Sequence, residues 1–268
     1  MSEPTIAVIG LGEAGSRYAA GLAAAGARVR GYDPHHAPGL SGVVHSDSAA
    51  AAVAGADLVL SLVHGRLAIE VASGLLPHIA ATTVYADLNA ASPDAMRTVA
   101  RMAADRGVSM ADVAVLAPVP RTGHATPLLA SGDGAASFAA IVSPLGVPVE
   151  VVDAPAGAAA ERKLLRSVFM KGLAAVVLES LDAARAADAE AWMRDHIAAE
   201  LDVDGEGHQR VARLVDGTRT HAARREQEMH DALTELEALG APTDMTRATL
   251  AWLARLRSDQ GRQGADQA

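Results

Sequence analysis

The sequence contains no cysteine, so disulfides, thiolate metal sites and cysteine nucleophiles are excluded, and redox chemistry would have to be carried by a borrowed cofactor. Aromatic residues make up only 3% of the chain although hydrophobic residues make up 50%. The difference is largely alanine, which points to helices packed closely through small side chains. No uninterrupted apolar run reaches the ~18 residues of a membrane span, and the N-terminus lacks a basic stretch followed by an apolar core. The chain is therefore expected to be cytoplasmic, with no membrane partner. Positive charge is also in deficit: a formal net charge of −9 argues against general nucleic-acid binding. His35, His36 and His124 show no metal-ligand spacing, so no metal is expected. At 268 residues the chain can hold one large or two modest domains.

What is present begins with Thr5-Ile-Ala-Val-Ile-Gly-Leu-Gly-Glu-Ala-Gly15. Ile6 to Ile9 is apolar, mostly β-branched and too short for a helix, the pattern of a buried parallel strand. Gly10, Gly12 and Gly15 then fit G-x-G-x-x-G, a turn that lets a pyrophosphate approach the N-terminus of the following helix, Glu13 to Ala25. Arg28 to Tyr32 reads as a second strand ending in Asp33, 18 residues beyond the last glycine, about where an acid binds an adenosine ribose. The turn residues Gly10, Leu11, Gly12, Glu13, Ala14 and Gly15, together with Asp33, are the first candidates for cofactor binding. The ribose argument favours NAD, with NADP kept open by His35 and His36, whose protonated rings could hold a phosphate.

Strands and helices go on alternating. Ala56 to Val63, Thr82 to Asp87, Val108 to Val115 and Val147 to Val152 read as strands, and Ser92-Pro93-Asp94 opens a helix running to about Arg106. Such alternation implies a parallel sheet with ligands at the carboxyl ends of its strands. That rule adds Val63, His64 and Asn89 to the cofactor set and singles out the loop Ala117 to His124, in which Arg121, Thr122 and Gly123 are candidates for an anionic substrate.

Near Ala154-Pro155-Ala156-Gly157 the strands stop. The expected architecture is an α/β Rossmann domain over residues 1–155, an all-α domain over 156–258, a long interdomain helix joining them and a disordered tail over 259–268. The joining helix, Glu161 to Ala187, has a wide apolar surface and is expected to be central. Lys163, Ser167 and Lys171 recur every four residues along one side, with Arg166 one turn from Lys163. A lysine on a buried helix has a chemical use, since burial and a neighbouring cation make it a proton acceptor near neutral pH. Later helices are read as Asp188 to Leu201, Gly207 to Leu239 and Thr243 to Arg257. His221, Arg224, Arg225 and Glu228 share a face, either a solvated stripe or a second anion group. A helical domain with so wide an apolar helix is expected to pair with a second copy, giving a homodimer through that domain.

The glycine turn, the Pro118-Val119 loop after the fifth strand, and Gly157 six residues before Lys163 resemble the β-hydroxyacid dehydrogenases, which include 3-hydroxyisobutyrate and 6-phosphogluconate dehydrogenases and are related to imine reductases. The resemblance implies that Lys163, at the lysine of a G-x-x-x-x-x-K segment, is the catalytic acid/base. It also implies departures: Pro120-Arg121-Thr122-Gly123 stands where the family has Ser-Gly-Gly after Pro-Val, and Arg166-Ser167 stands where it has Asn-Asn. Both bring in arginine, suited to a carboxylate or phosphate. Lys163 to Gly172 is similar to a mainly bacterial, less characterised branch. The leading expectation is an NAD(P)-dependent oxidoreductase acting on the hydroxyl or carbonyl of a small anion. Arg121, Thr122, Gly123, Arg166, Ser167 and Lys171 would form its substrate side. The alternatives are an imine reductase and an inactive dinucleotide-binding sensor.

Overall fold

In the computed structural model, which describes residues 3–36, 39–202 and 207–265, every strand lies in one eight-stranded sheet. In chain order the elements are β1 (Thr5–Ile9), α1 (Glu13–Ala24), β2 (Arg28–Tyr32), β3 (Val43–His45), α2 (Ala49–Val53), β4 (Leu58–Ser61) and α3 (Ala68–Leu75). Then come β5 (Val84–Asp87), α4 (Pro93–Ala104), β6 (Ser109–Val115), α5 (Val119–Thr122), β7 (Leu128–Ser131), α6 (Ala135–Val142), β8 (Val149–Val151) and the long helix α7 (Ala158–Ala186). The spatial order is β3-β2-β1-β4-β5-β6-β7-β8. The chain builds outward from β1 through β2 to β3 and then crosses back to place β4 on the other side of β1. The crevice between β1 and β4 is thus the switch point where ligands bind in such sheets.

Alternate residues of each strand face opposite layers. Ile6, Val8, Leu58 and Leu60 pack toward α1 and α6 with Tyr18, Leu22 and Phe138. Ala7, Ile9, Val59 and Tyr85 pack on the other side with Leu75, Met96 and Val99. Both faces are covered, which is why the strands read as continuous apolar runs.

One expectation needs correcting: the sheet is mostly, not wholly, parallel. β7, which the sequence reading passed over, runs antiparallel to β6, with Val115 opposite Leu128 and Asp112 opposite Ser131. The Leu116 N–H donates to the Pro127 carbonyl at 3.0 Å, carrying the antiparallel pairing one step beyond the strand ends.

Contacts divide the chain into two compact units, Met1–Arg166 and Ser167–Ala268. The division falls inside α7, beyond the Ala154–Gly157 boundary expected from composition, because Ala156, Ala159 and Ala160 are buried against the sheet. In the second unit, α8 (Glu190–Leu201), α9 (Gly207–Thr220), α10 (Ala222–Ala238) and α11 (Asp244–Ala265) follow α7. The single helix expected from Gly207 to Leu239 is two, parted at His221, where Arg225 turns back and donates to Thr218 Oγ1 at 2.5 Å. α11 also runs to Ala265, seven residues past Ser258, where disorder was expected to begin. No proline stops it, and Ser258 Oγ donates to the Ala254 carbonyl as a helical residue does. Glu179 of α7, nearly buried, fixes the start of α11 by accepting from the N–H groups of Met245 and Thr246 at 2.5 and 2.7 Å.

The most instructive departure concerns the surface of α7. Instead of being enclosed, Leu165, Val168 and Phe169 are 66%, 75% and 65% exposed in the single chain.

Candidate active site

The three glycines of the turn after β1 differ in what holds them. A Cβ on Gly10, whose φ is +91°, would stand 2.4 Å from the Leu62 carbonyl oxygen, and one on Gly15 would stand 1.8 Å from that of Gly10. These two are required by the fold itself. A Cβ on Gly12 would meet no atom within 4 Å, and its φ of −64° suits any residue. The protein therefore leaves open the place where only a ligand would exclude a side chain. Gly12 is also the N-cap of α1 with no side chain bonded to the helix's first N–H groups, leaving donors and the positive dipole end for an anion. Leu11 is buried, Glu13 is exposed and Ala14 half-buried in the first turn. The residues fit a dinucleotide pyrophosphate.

Beside the turn lies a cavity of about 530 Å³ whose walls include Gly10, Gly12, Tyr32, Asp33, His35, His36, Val63 and His64. Leu62, Leu67, Val71 and Leu75 make much of it apolar, as an adenine ring requires. Asp33 Oδ2 accepts from Leu11 N at 2.8 Å, and Oδ1 accepts from His35 N and His36 N at 2.8 and 3.0 Å. The carboxylate thus ties the glycine turn to the loop after β2, and a remaining acceptor position on Oδ2 is left for a ribose hydroxyl. Burial pushes the Asp33 carboxyl up, but the N–H groups of His35, Leu11 and His36 and the charge of the His36 ring outweigh it, holding the group below its ordinary value.

Across the crevice, the ends of β4 and β5 hold each other. Asn89 Oδ1 accepts from Val63 N at 2.6 Å, Asn89 Nδ2 donates to Ser61 Oγ at 3.0 Å, and Asn89 N donates to Asp87 Oδ1 at 2.9 Å. The sequence placed Asn89 at the cofactor end of its strand, and there its amide fixes the loop that carries Val63 and His64 to the cavity. His64 is exposed at the head of a short turn. Asp87 is buried, and burial, with some help from nearby Asp112, raises its carboxyl to about 6 despite the Asn89 bonds.

On the far side of α1, Val119 is buried in the α1 layer while Arg121 and Thr122 are exposed and Gly123 is half-buried. Thr122 Oγ1 lies 2.8 Å from Thr126 Oγ1. On α7, Lys163 is half-buried and Arg166 exposed, both in the first unit; Ser167, half-buried, belongs to the second. The Lys171 and Glu228 side chains lie outside the described residues. His221 and Arg224 are exposed.

Sequence reasoning missed a pair that sets the start of α7. Asp112 Oδ2 accepts from Gly157 N at 2.8 Å, Ala160 N at 3.2 Å and Ser131 Oγ at 3.1 Å; Ser131 Oγ accepts from Ala159 N at 3.0 Å. The one available signal was an aspartate inside an otherwise apolar strand, Met110 to Val115.

Comparison with known proteins agrees with this geometry. Residues 5–144 match the NAD-binding domain of 6-phosphogluconate dehydrogenase, and the chain belongs to that family. A conserved hypothetical protein from Sinorhizobium meliloti is 33% identical, with 94% of this chain and 88% of that one covered and a TM-score of 0.62. An imine reductase from Aspergillus terreus, solved with NADPH4 and dibenz[c,e]azepine, shares the fold at a TM-score of 0.82 with 17% identity, covering 97% of this chain and 95% of that one. An uncharacterised 28.5 kDa protein of Methanothermus fervidus is 29% identical over 127 residues; the match spans about half of each chain, 47%. The fold is that of the dinucleotide-binding dehydrogenases, and the expected cofactor class stands. Among the described residues no cluster of His, Asp or Glu could hold a metal, and no helix is long and apolar enough to cross a membrane.

Proposed function

We propose that the protein is an NAD(P)-dependent oxidoreductase interconverting a hydroxyl and a carbonyl on a small anionic substrate, with Lys163 as acid/base. The observation that carries this reading is the half-buried Lys163, placed six residues after Gly157 on a helix whose first turn is bonded into the dinucleotide-binding sheet. The nicotinamide, when bound, supplies a two-electron hydride acceptor or donor. In oxidation, neutral Lys163 takes the hydroxyl proton on Nζ; in reduction, the ammonium returns it to the carbonyl oxygen. Arg121 and Arg166 orient the anion, and Asp33 favours a free ribose 2′-hydroxyl over a phosphate.

Absorbance at 340 nm across hydroxy acids, oxo acids and cyclic imines, in wild type and Lys163→Ala, tests the reading. Hydroxy acid turnover that falls about 100-fold or more in the variant, with NADH affinity kept, is expected for loss of a general acid/base. Turnover of imines alone would establish C=N reduction, the reading favoured by the fold likeness to imine reductases. NADH binding with no turnover of any compound would point to a sensor. Separately, the exposed apolar run of α7 supports pairing of two copies through the helical unit.

A further inference from the structure

A row of polar side chains crosses the sheet beneath the proposed site. In register, Ser61 lies opposite Asp87, Asp87 opposite Asp112, and Asp112 opposite Ser131, and all four are at most 2% exposed. One end of the row holds the cofactor-side loop through Asn89. The other end holds the helix that bears Lys163.

That helix cannot cap itself. An N-cap residue ordinarily bends its own side-chain oxygen onto the N–H two or three positions ahead. Here the position is Gly157, with φ +100°, and a Cβ would stand 3.0 Å from the Pro93 carbonyl oxygen and 3.1 Å from the Arg97 side chain. No side chain fits, yet the first N–H groups of α7 are buried and must be satisfied. We propose that Asp112 and Ser131 are positioning residues for Lys163, supplying from the sheet the cap that Gly157 cannot, with Asp112 ionised and its neighbour Asp87 protonated. The inference rests on the reading of Lys163 as acid/base.

The charge assignment follows from the donors. Burial raises the Asp112 carboxyl above its ordinary value, and against this Oδ2 receives two backbone N–H groups and a hydroxyl at the positive end of a helix, contacts that stabilise the carboxylate over the acid. Asp87 has a well-formed donor only on Oδ1; Oδ2 is buried without a hydrogen bond of good geometry, and so is the Tyr85 hydroxyl on the same strand face, whose influence on the Asp87 carboxyl is outweighed by burial. A bare anionic oxygen there would be costly, and two carboxylates paired in register on strands whose backbones lie roughly 4.8 Å apart resist ionising together. A proton on Asp87 Oδ2 removes both difficulties. The other charge near this end is Arg97 of α4, beside Gly157 and paired with Asp94 at 2.6 Å.

Three measurements on the full chain test the proposal, two of them without turnover. In Asp112→Ala, which removes the acceptor altogether, amide exchange over residues 157–163 should speed up at least about fivefold, the scale of a lost helix cap, while β1 and β5 stay protected. Unchanged exchange there overturns the proposal. Should Asp112→Ala fail to fold, Ser131→Ala carries the same expectation, since Ala159 N loses its acceptor. In infrared spectra at neutral pH, wild type should show the carbonyl stretch of a protonated carboxylic acid that disappears in Asp87→Asn and survives in Asp112→Asn. The reverse pattern, or no such band, refutes the charge assignment. Finally, kcat in the cap variant should fall by about the same factor of five with NADH affinity within twofold, since a displaced lysine costs rate rather than cofactor binding. If cofactor affinity falls as much as kcat, the pair is merely structural. Lys163→Ala runs in parallel: full turnover there removes the lysine's role, and the exchange and infrared results judge the cap independently.

Discussion

Replacing Gly12 by alanine should separate folding from binding, because the position is open in the protein and restricted only by a ligand. With φ −64° and no atom within 4 Å of the added Cβ, the substitution causes no clash. Gly→Ala at an unstrained position stiffens the unfolded chain by about 0.4–1 kcal/mol, offset by a few tenths for the poorer N-cap, so stability should change by less than about 0.5 kcal/mol. Binding is another matter. A methyl group at the head of α1 holds the phosphates off the helix's free N–H groups, and losing one such charged hydrogen bond costs about 1.5–3 kcal/mol, roughly 10- to 150-fold in Kd. Thermal melting reads both effects. At NADH equal to 100 times the wild-type Kd, wild type gains about 2.7 kcal/mol and the variant, weakened 100-fold, about 0.4. At about 2–4 °C per kcal/mol for a domain of this size, the ligand-induced rise in Tm should shrink from roughly 5–11 °C to 1–2 °C, with the ligand-free Tm unmoved. A variant that binds NADH as well as wild type, or melts early without ligand, would refute the argument. Gly15→Ala is the contrasting control: its Cβ would collide with the backbone of Gly10, and the ligand-free protein itself should be destabilised.

Asp87, raised to about 6 by burial, binds a proton more tightly folded than unfolded, so stability should fall as pH rises from about 4 to 6. The loss amounts to about 3 kcal/mol at most; urea unfolding at pH 4.5 and 7 should show the decline in wild type and its absence in Asp87→Asn. Arg121→Ala and Arg166→Ala should each raise substrate KM with cofactor affinity nearly unchanged, and parallel loss of NADH binding in titrations would count against substrate roles. Phe169→Glu, which places charge on the exposed apolar run of α7, should shift the protein from dimer to monomer in sedimentation velocity; a monomeric wild type would remove the basis for pairing.

How much of this was legible beforehand depended on how local the cause was. The glycine turn, β1, β2 and Asp33 follow from steric rules acting over a few residues, and they were read within a residue or two of their observed ends. β3 and β7 escaped notice because each is only three or four residues long and owes its existence to a neighbouring strand. Asp33 stands at the strand end where the sequence put it, yet two of its three backbone bonds come from the loop at His35 and His36, which spacing does not reveal. Asn89 stood at the expected strand end, but its bond to Val63, just past β4 and 26 residues earlier, is a long-range contact that spacing does not reveal. The apolar periodicity of α7 correctly marked a helix. It could not say what covers Leu165 and Val168, because periodicity records a demand for burial and not the molecule that meets it.

The cap at Gly157 also has a consequence for the order of assembly. Its donors meet an acceptor 45 and 48 residues earlier in the chain, so the first turn of α7 gains no fixed place until β6 and β7 have paired around Asp112 and Ser131. Contacts of such separation form late, after loop closure has been offset by packing. In pulse-labelled refolding, protection at residues 157–160 should therefore trail protection in β1 and β5. The lysine would reach its working position only in chains whose sheet is already correct, making its placement a proofreading step for the fold beneath it.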